Sequence, residues 1–119
     1  MKIPERSALV QVPRIGNFIY IIKPADTEII EGKVLSEPPS LEMLQFGVEG
    51  DITLIPRFDS FGGRPCAAFC NEYGIMLNLR PNHLAQMCWE QCVGQFITTD
   101  QLLGNVVVIA ADPAFLGEM

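Results

Sequence analysis

The chain has 119 residues, of which 49% are hydrophobic and only 18% carry a charge. This length is typical of one domain, and the composition supplies a sizeable core and argues against disorder. Fourteen acidic side chains against eight basic ones give a net charge of −6. Because no Lys/Arg cluster is present, we expect no binding to nucleic acid or to an anionic membrane surface, both of which require cations.

The low charge content also bears on partners and on location. We expect a homo-oligomer, in which part of the apolar surface is covered by a second copy or by another protein. No apolar run approaches the roughly 20 residues of a membrane span, and residues 1–11 lack the apolar segment of a secretory signal. The four cysteines are therefore expected to be reduced thiols in a cytoplasm.

An N-terminal arm at residues 1–16 precedes the predicted single domain at residues 17–119. The arm mixes polar and apolar residues and contains two prolines. Residues 8–12 are apolar enough for a short strand, which Pro13 would confine to the edge of a sheet. We therefore expect any strand from the arm to be peripheral.

Two strands and a helix are predicted next. Residues 17–23 are β-branched and aromatic, which predicts a buried strand. After a turn, residues 27–33 predict a second strand that runs antiparallel to the first. Ser40 is a natural N-cap for a helix over residues 41–46.

Glycines divide the segments that follow. The helix is expected to end at Gly47 or Gly50. The alternating apolar pattern of residues 51–58 predicts a third strand. Residues 59–64 include two adjacent glycines and predict a hairpin loop, after which residues 65–70 predict another strand.

The next segment combines a turn, a strand and a helix. Residues 71–74 contain Asn and Gly, which reach positive φ at little steric cost and so reverse the chain. The apolar run at residues 75–79 then predicts a strand. Pro81 suits the first position of a second helix, because it has no N–H to satisfy, and Gly94 ends that helix. The residues expected to face the core from this helix are Leu84, Met87, Cys88 and Cys92.

The last strand is predicted at residues 106–110, and Asp112 with Pro113 begins a short turn or helix. Together these elements predict an α+β fold in a single compact domain. The sheet is mostly antiparallel, with five or six strands, and the two helices are expected on one of its faces.

The four cysteines form two pairs of equal spacing, Cys66 with Cys70 and Cys88 with Cys92. Four thiolates bind zinc tetrahedrally. However, two residues four apart on a strand lie about 13 Å from each other, which is too far for one ion. The knuckle spacing that structural zinc sites favour is also absent. We therefore expect buried thiols, no metal and no cofactor, while a further role for the four cysteines stays open.

The sequence carries no recognisable catalytic set, so we expect a protein that is not an enzyme. His83 is the only histidine, and no serine or cysteine nucleophile is paired with it by the sequence pattern. Asn71 and Glu72 are explained by turn chemistry. A hydrolase built on Glu72 or His83 is the third alternative for the function.

A possible ligand-binding set lies between the predicted turn and the second helix. Asn78, Arg80 and Asn82 alternate along a predicted strand that runs into a helix start, so their side chains are expected on one side. Free N–H groups at a helix N-terminus favour anions, and an arginine there holds a phosphate or a carboxylate. The alternative is a solvated strand end followed by a helix cap.

Aromatic residues supply the candidate partner-binding surface. Trp89, the only tryptophan, belongs either to the core or to an interface, where tryptophan is enriched. Phe58, Phe61 and Phe69 flank the predicted loop at 59–64, and exposed aromatic rings there would form a contact patch. The candidate partner-binding residues are thus Phe58, Phe61 and Trp89.

The order of several short motifs resembles a known family. The motifs are "IIEG", "SLEMLQFGVEGDITLIP", "CNEYGIMLNLRPNHLAQ" and "LLGNVVVIA", and they cover roughly residues 18–110. They resemble a small domain of unknown function that phages, plasmids and other bacterial mobile elements carry. The chain departs from that family's pattern in the insertion at 59–64 and in the arm at 1–16.

The resemblance implies a small cytoplasmic accessory protein of a mobile element, and it brings no catalytic residues. Such proteins often bind and block host machinery, including defence systems. The leading hypothesis is therefore a non-enzymatic protein that binds and inhibits a host protein, such as a defence component. The alternative is a protein that sequesters a small anionic ligand, such as a nucleotide, near Asn78 and Arg80.

Overall fold

The computed structural model describes residues 10–24, 29–94 and 100–119. They form an antiparallel sheet of six strands with three helices in one compact globule, which confirms the α+β prediction. The elements in chain order are β1 (Phe18–Lys23), β2 (Ile29–Val34), α1 (Leu41–Val48), β3 (Ile52–Leu54), β4 (Ser60–Phe61), β5 (Arg64–Asn71), α2 (His83–Val93), β6 (Val106–Ala110) and α3 (Pro113–Leu116).

The last strand in the sequence lies at the centre of the sheet. The strands follow the order β2-β1-β6-β5-β3, and β4 pairs with β5. All pairings are antiparallel. Every residue of β6 is 0% exposed. This strand is therefore buried on both faces, which explains its unbroken run of apolar residues.

Each face of the sheet carries its own core. Successive side chains of a strand point to opposite faces, so Val106 and Val108 join the core on the α2 side, while Val107 and Ile109 join the core on the α1 side. The expectation that both helices share one face is therefore wrong. A central strand buried on both faces requires a cover on each.

Helix α1 begins as predicted and ends differently. The Ser40 hydroxyl accepts a hydrogen bond from the Met43 backbone N–H at 3.1 Å, which is the N-cap that the sequence indicated. The helix continues through Gly47. A Cβ at this position would lie 2.4 Å from a methyl of Val107, so a side chain would clash with the sheet. Glu49, in the left-handed region at φ 61°, ends the helix instead. Gly47 thus allows a close approach of helix and sheet.

The segment between α1 and β5 has a shorter strand than predicted and an additional short strand, β4. The strand expected over 51–58 is reduced to β3, which pairs with β5. The predicted loop at 59–64 is itself a hairpin, in which β4 pairs with the start of β5 across Gly62 and Gly63, both at positive φ. The described residues of the strand predicted at 8–12 are not in a strand.

The strand predicted at residues 75–79 does not form. One side of β5 is occupied by β6 and the other by β3 and β4. No place beside β5 is left for a hairpin partner, and the chain instead makes a series of turns over residues 72–78. This long-range occupancy, rather than the local composition, decides the conformation.

Helix α2 begins at His83, not at Pro81 as predicted, and Asn82 is its N-cap. Pro81 instead forms an isolated bridge with Leu103. The expectation that Met87 faces the core is also wrong, because its side chain is exposed. The helix buries Leu84, Ala85, Cys88, Trp89 and Val93, and ends at Gly94 as predicted.

Arg64 connects three distant parts of the chain. Its side chain is buried, and Nη1 donates to the carbonyls of Pro13 at 3.0 Å and Gly16 at 2.7 Å. Nη2 donates to Oδ1 of Asp112 at 3.0 Å. Val10 is buried in the α2-side core. The described part of the predicted arm therefore packs against the domain.

None of the helices formed by the described residues is long and apolar enough to cross a membrane.

Candidate functional site

Three exposed apolar side chains follow β5, in a segment that we call the apolar loop (residues 72–78). Ile75 is 85% exposed, Met76 is 82% exposed and Leu77 is 57% exposed. Full burial of one such side chain is worth about 1.5–3 kcal/mol, and this chain alone does not gain that energy. A contiguous exposed apolar surface of this kind marks an interaction site in soluble proteins.

Asn71 anchors the base of the apolar loop. It is buried, and its Oδ1 accepts a hydrogen bond from the backbone N–H of Tyr73 at 2.8 Å. Its Nδ2 lies 3.5 Å from the carbonyl oxygens of Val48 and Glu49, at the end of α1. The side chain therefore links the loop to a helix on the opposite face of the sheet, and the prediction that this position serves turn chemistry is confirmed.

Backbone hydrogen bonds give the apolar loop a defined shape. The N–H of Leu77 donates to the carbonyl of Tyr73 at 2.9 Å, and the N–H of Leu79 donates to Gly74 at 2.9 Å. Asn78 ends the series of turns at φ 52°, a conformation that asparagine adopts more readily than most residues. These hydrogen bonds order the backbone of the loop, while Ile75, Met76 and Leu77 remain exposed.

A groove of about 260 Å³ lies beside the apolar loop. Its lining includes Leu54 of β3 and Ile75 of the loop, and Trp89 and Leu102 also contribute. Nε1 of Trp89 donates to the carbonyl of Pro56 at 2.8 Å, which fixes the indole ring. The groove thus has apolar walls held by the core, next to an exposed apolar rim.

The segment that closes the groove is held by α2. Oε1 of Gln86 accepts from the N–H of Leu102 at 2.8 Å, and Nε2 of Gln86 donates to the carbonyl of Asp100 at 3.2 Å. The side chain of Gln86 is half-buried against this segment. These hydrogen bonds keep the wall of the groove in place.

The charge of the groove is negative. Glu72 is exposed and lines it, whereas none of the described residues that line it is Lys, Arg or His. Such a groove suits a ligand that is apolar and carries a positive charge, because opposite charges favour each other at an interface. It does not suit a phosphate or a carboxylate.

The predicted ligand-binding residues have different surroundings. Asn78 is exposed at the end of the apolar loop, and Arg80 is exposed beyond it. Asn82 is only 2% exposed, and its Nδ2 donates to the carbonyls of Ile22 at 2.8 Å and Gly104 at 2.9 Å. Its Oδ1 accepts from the Ala85 N–H at 3.2 Å. The premise that these residues alternate along a strand is wrong, and Asn82 is the cap that the alternative described.

The predicted partner-binding aromatics are buried. Phe58 and Phe61 are each 2% exposed and Trp89 is 3% exposed, all in the α2-side core. The β4–β5 hairpin turns the two phenylalanine rings inward, where that of Phe61 lies 5.5 Å from the ring of Tyr20 between centroids. The expectation of an exposed aromatic patch is therefore wrong, and these side chains have structural contacts.

The four cysteines are free thiols. Burial raises the pKa of Cys66 far above its ordinary value, and the nearby Cys92, Asp59 and Cys88 raise it further. Burial also raises the pKa of Cys70, which lines the groove. These two thiols are therefore protonated and weakly nucleophilic. Within the described ranges, no group of three or more His, Cys, Asp or Glu residues is arranged to hold a metal ion.

Comparisons with protein-family models, with curated proteins and with solved structures found no match for this chain.

The sequence contains a signal for the apolar loop, although its apolar composition by itself would also fit a strand. Three consecutive apolar residues lie between Gly74 and Asn78, which are both frequent in turns. No polar residue alternates with them, as it would in a half-buried strand. A short apolar run bounded by turn residues is thus compatible with an exposed loop.

Proposed function

We propose that this protein is a non-enzymatic binding protein that uses the apolar loop and the adjoining groove to hold a protein partner. The observation that carries the proposal is the exposure of Ile75, Met76 and Leu77 on a loop whose backbone is internally hydrogen-bonded. A backbone held in this way loses little conformational freedom on binding, so burial of these side chains by a partner is favourable.

The charge of the groove supports a particular kind of partner. The exposed Glu72 lines it, and the whole chain has a net charge of −6. We therefore propose that the partner presents an apolar segment with a lysine or arginine beside it. The anion-binding alternative has less support, because the buried amide of Asn82 is used by backbone groups of this chain.

The biological setting of the proposal comes from the resemblance to domains carried by phages and plasmids. On that basis we propose that the partner is a protein of the host cytoplasm, that it belongs to a defence system, and that binding inhibits it. Inhibition would result from occupation of the partner's surface, without a chemical step.

A crosslinking experiment tests the proposed surface. A photoreactive phenylalanine analogue replaces Met76 in one variant and Phe46 in a control, since Phe46 is 83% exposed but lies on α1. In cells of the natural host, we expect a specific crosslinked protein from position 76 and none from position 46. The same partner captured equally from both positions would contradict the proposal.

A binding measurement with the captured partner then separates the loop from the rest of the surface. We expect Ile75→Ser combined with Met76→Ser to abolish binding, and Phe46→Ser to leave the dissociation constant unchanged. Binding that survives in the loop variant would show that the partner contacts another surface. Addition of the purified protein should also inhibit the partner's activity in proportion to the bound fraction.

A further inference from the structure

Strand β2 forms one edge of the sheet and leaves a row of backbone groups directed outward. Among the strands formed by the described residues, it pairs only with β1. The N–H of Leu35 donates to the carbonyl of Asn17 at 2.8 Å, so the alternation of an antiparallel ladder turns the backbone groups of Glu31 and Lys33 toward β1. The N–H and C=O groups of Ile30, Gly32 and Val34 consequently point away from the sheet.

This edge is accessible in the part of the chain that the structure describes. Residues 31–34 are all exposed, and Val34 is 70% exposed. No described residue forms a hydrogen bond to the outward groups of Ile30, Gly32 or Val34. Edge strands are usually protected by proline, a bulge or charged side chains. Strand β2 contains neither proline nor bulge, and its two charged residues, Glu31 and Lys33, have opposite signs.

We propose that β2 pairs antiparallel with β2 of a second copy of this chain, in the register that places Gly32 opposite Gly32. The outward backbone groups then form the ladder, in which Ile30 lies opposite Val34 of the second copy. On the other face, Glu31 lies opposite Lys33 of the second copy, and the symmetry repeats this ion pair. Both the apolar and the charged side chains therefore meet complementary partners.

Neighbouring registers are disfavoured by the same two charges. A shift of the second strand by two residues keeps the outward groups paired. In one direction it places Glu31 opposite Glu31, and in the other it places Lys33 opposite Lys33. Like charges directly opposite each other destabilise a strand pair. A shift that uses the other set of backbone groups is excluded, because those groups already bond to β1. The charge pattern thus selects a single register.

The ring of Tyr20 covers Gly32, which lies at the symmetry axis of the proposed dimer. A Cβ on Gly32 would be only 2.7 Å from Cε1 of the ring. A larger residue at position 32 would displace the ring from the sheet. Two glycines at the axis instead let the two Tyr20 rings cover the junction, next to the pairs of Ile30 and Val34.

The charged pair in the dimer adds to an existing contact. Nζ of Lys23 lies 2.7 Å from Oε1 of Glu31 within one chain, and both side chains are partly exposed. A carboxylate accepts more than one hydrogen bond, so Glu31 has capacity for Lys33 of the second copy as well. This dimer does not depend on the proposed function, since the groove lies beside β3 at the opposite edge of the sheet.

Sedimentation equilibrium of the full chain tests the proposal with a charge swap. We expect the wild type to be a dimer, and Lys33→Glu to raise its dissociation constant at least about tenfold, because two pairs of like charges then face each other. Glu31→Lys should act similarly. The double variant E31K/K33E restores opposite charges in the same register, and we expect it to dimerise again.

Controls make each outcome decisive. Arg57→Glu makes the same change of charge at an exposed residue outside β2 and should leave the dimer unchanged, while circular dichroism confirms that every variant is folded. A wild type that is monomeric at high concentration would overturn the proposal. So would a dimer that persists in Lys33→Glu, or a double variant that stays monomeric.

Discussion

Strand β6 and the apolar loop both contain consecutive apolar residues, but they have opposite surroundings. Residues 106–110 are entirely apolar and 0% exposed, whereas Ile75 and Met76, in an equally apolar run, are among the most exposed residues described. Strand β6 has a strand on each side and a helix over each face. The apolar loop follows β5, whose two sides are already paired. The difference lies in which neighbours are available and in the turn residues, Gly74 and Asn78, that bound the apolar run of the loop.

The comparison explains why an apolar segment remains at the surface of a stable fold. The core is complete without Ile75, Met76 and Leu77, so their side chains are available to a partner at no cost to the fold. Mutations in the two segments should therefore have different effects. Substitutions in β6 should lower the free energy of unfolding, whereas substitutions in the apolar loop should weaken partner binding.

The largest expected effect is on the central strand. Ile109→Ala removes a fully buried side chain from the α1-side core, and we expect it to lower the free energy of unfolding by about 2–5 kcal/mol. Urea denaturation followed by circular dichroism measures the loss. Ile75→Ala is the matched control, with an expected change within about 0.5 kcal/mol. Similar losses for both substitutions would remove the distinction between the segments.

An intermediate effect is expected at Asn82, which lies between the two segments in the sequence. Asn82→Ala removes the cap of α2 and the amide that donates to the carbonyls of Ile22 and Gly104. We expect a loss of about 2–4 kcal/mol in the free energy of unfolding.

Asn78→Gly provides the matched control for Asn82→Ala. Asn78 is exposed at φ 52°, which glycine adopts readily, so we expect a change of less than about 1 kcal/mol. Thermal unfolding with and without nucleotide also tests the anion alternative. Stabilisation by nucleotide that both substitutions weaken would favour that alternative over a structural role.

The smallest effect on stability should accompany the largest effect on partner binding. We expect Ile75→Ser with Met76→Ser to change the free energy of unfolding by less than about 0.5 kcal/mol, because both side chains are in water already. Chemical denaturation of the purified variant measures this directly. A loss above 2 kcal/mol would mean that the loop contributes to the core, and a binding defect would then have a different explanation.

Local sequence signals predicted much of the fold. The hydroxyl of Ser40, the apolar residues of β1 and the glycine at position 94 act within a few residues of their own positions, and these predictions are confirmed. The predicted second strand and last strand are also present. Periodicity and capping chemistry are readable because the interactions that they report are short-range.

Long-range interactions account for what the sequence did not predict. Arg64 resembles a loop residue in the sequence, yet its guanidinium bonds to Pro13 and Asp112, which are far away along the chain. Asn82 resembles a ligand residue until Ile22 and Gly104 are placed beside it. Likewise, the exposure of the apolar loop depends on the strand order. None of these facts follows from spacing alone.

The position of β6 in the sheet also affects how the chain is made. Strands β1 and β2 form one antiparallel unit and β3 and β5 form another, and both leave the ribosome before the strand that joins them. Until β6 is synthesised, each unit exposes an unpaired edge and apolar faces. Folding to a single sheet therefore waits for the last strand, and the nascent chain passes through a stage in which aggregation competes with folding.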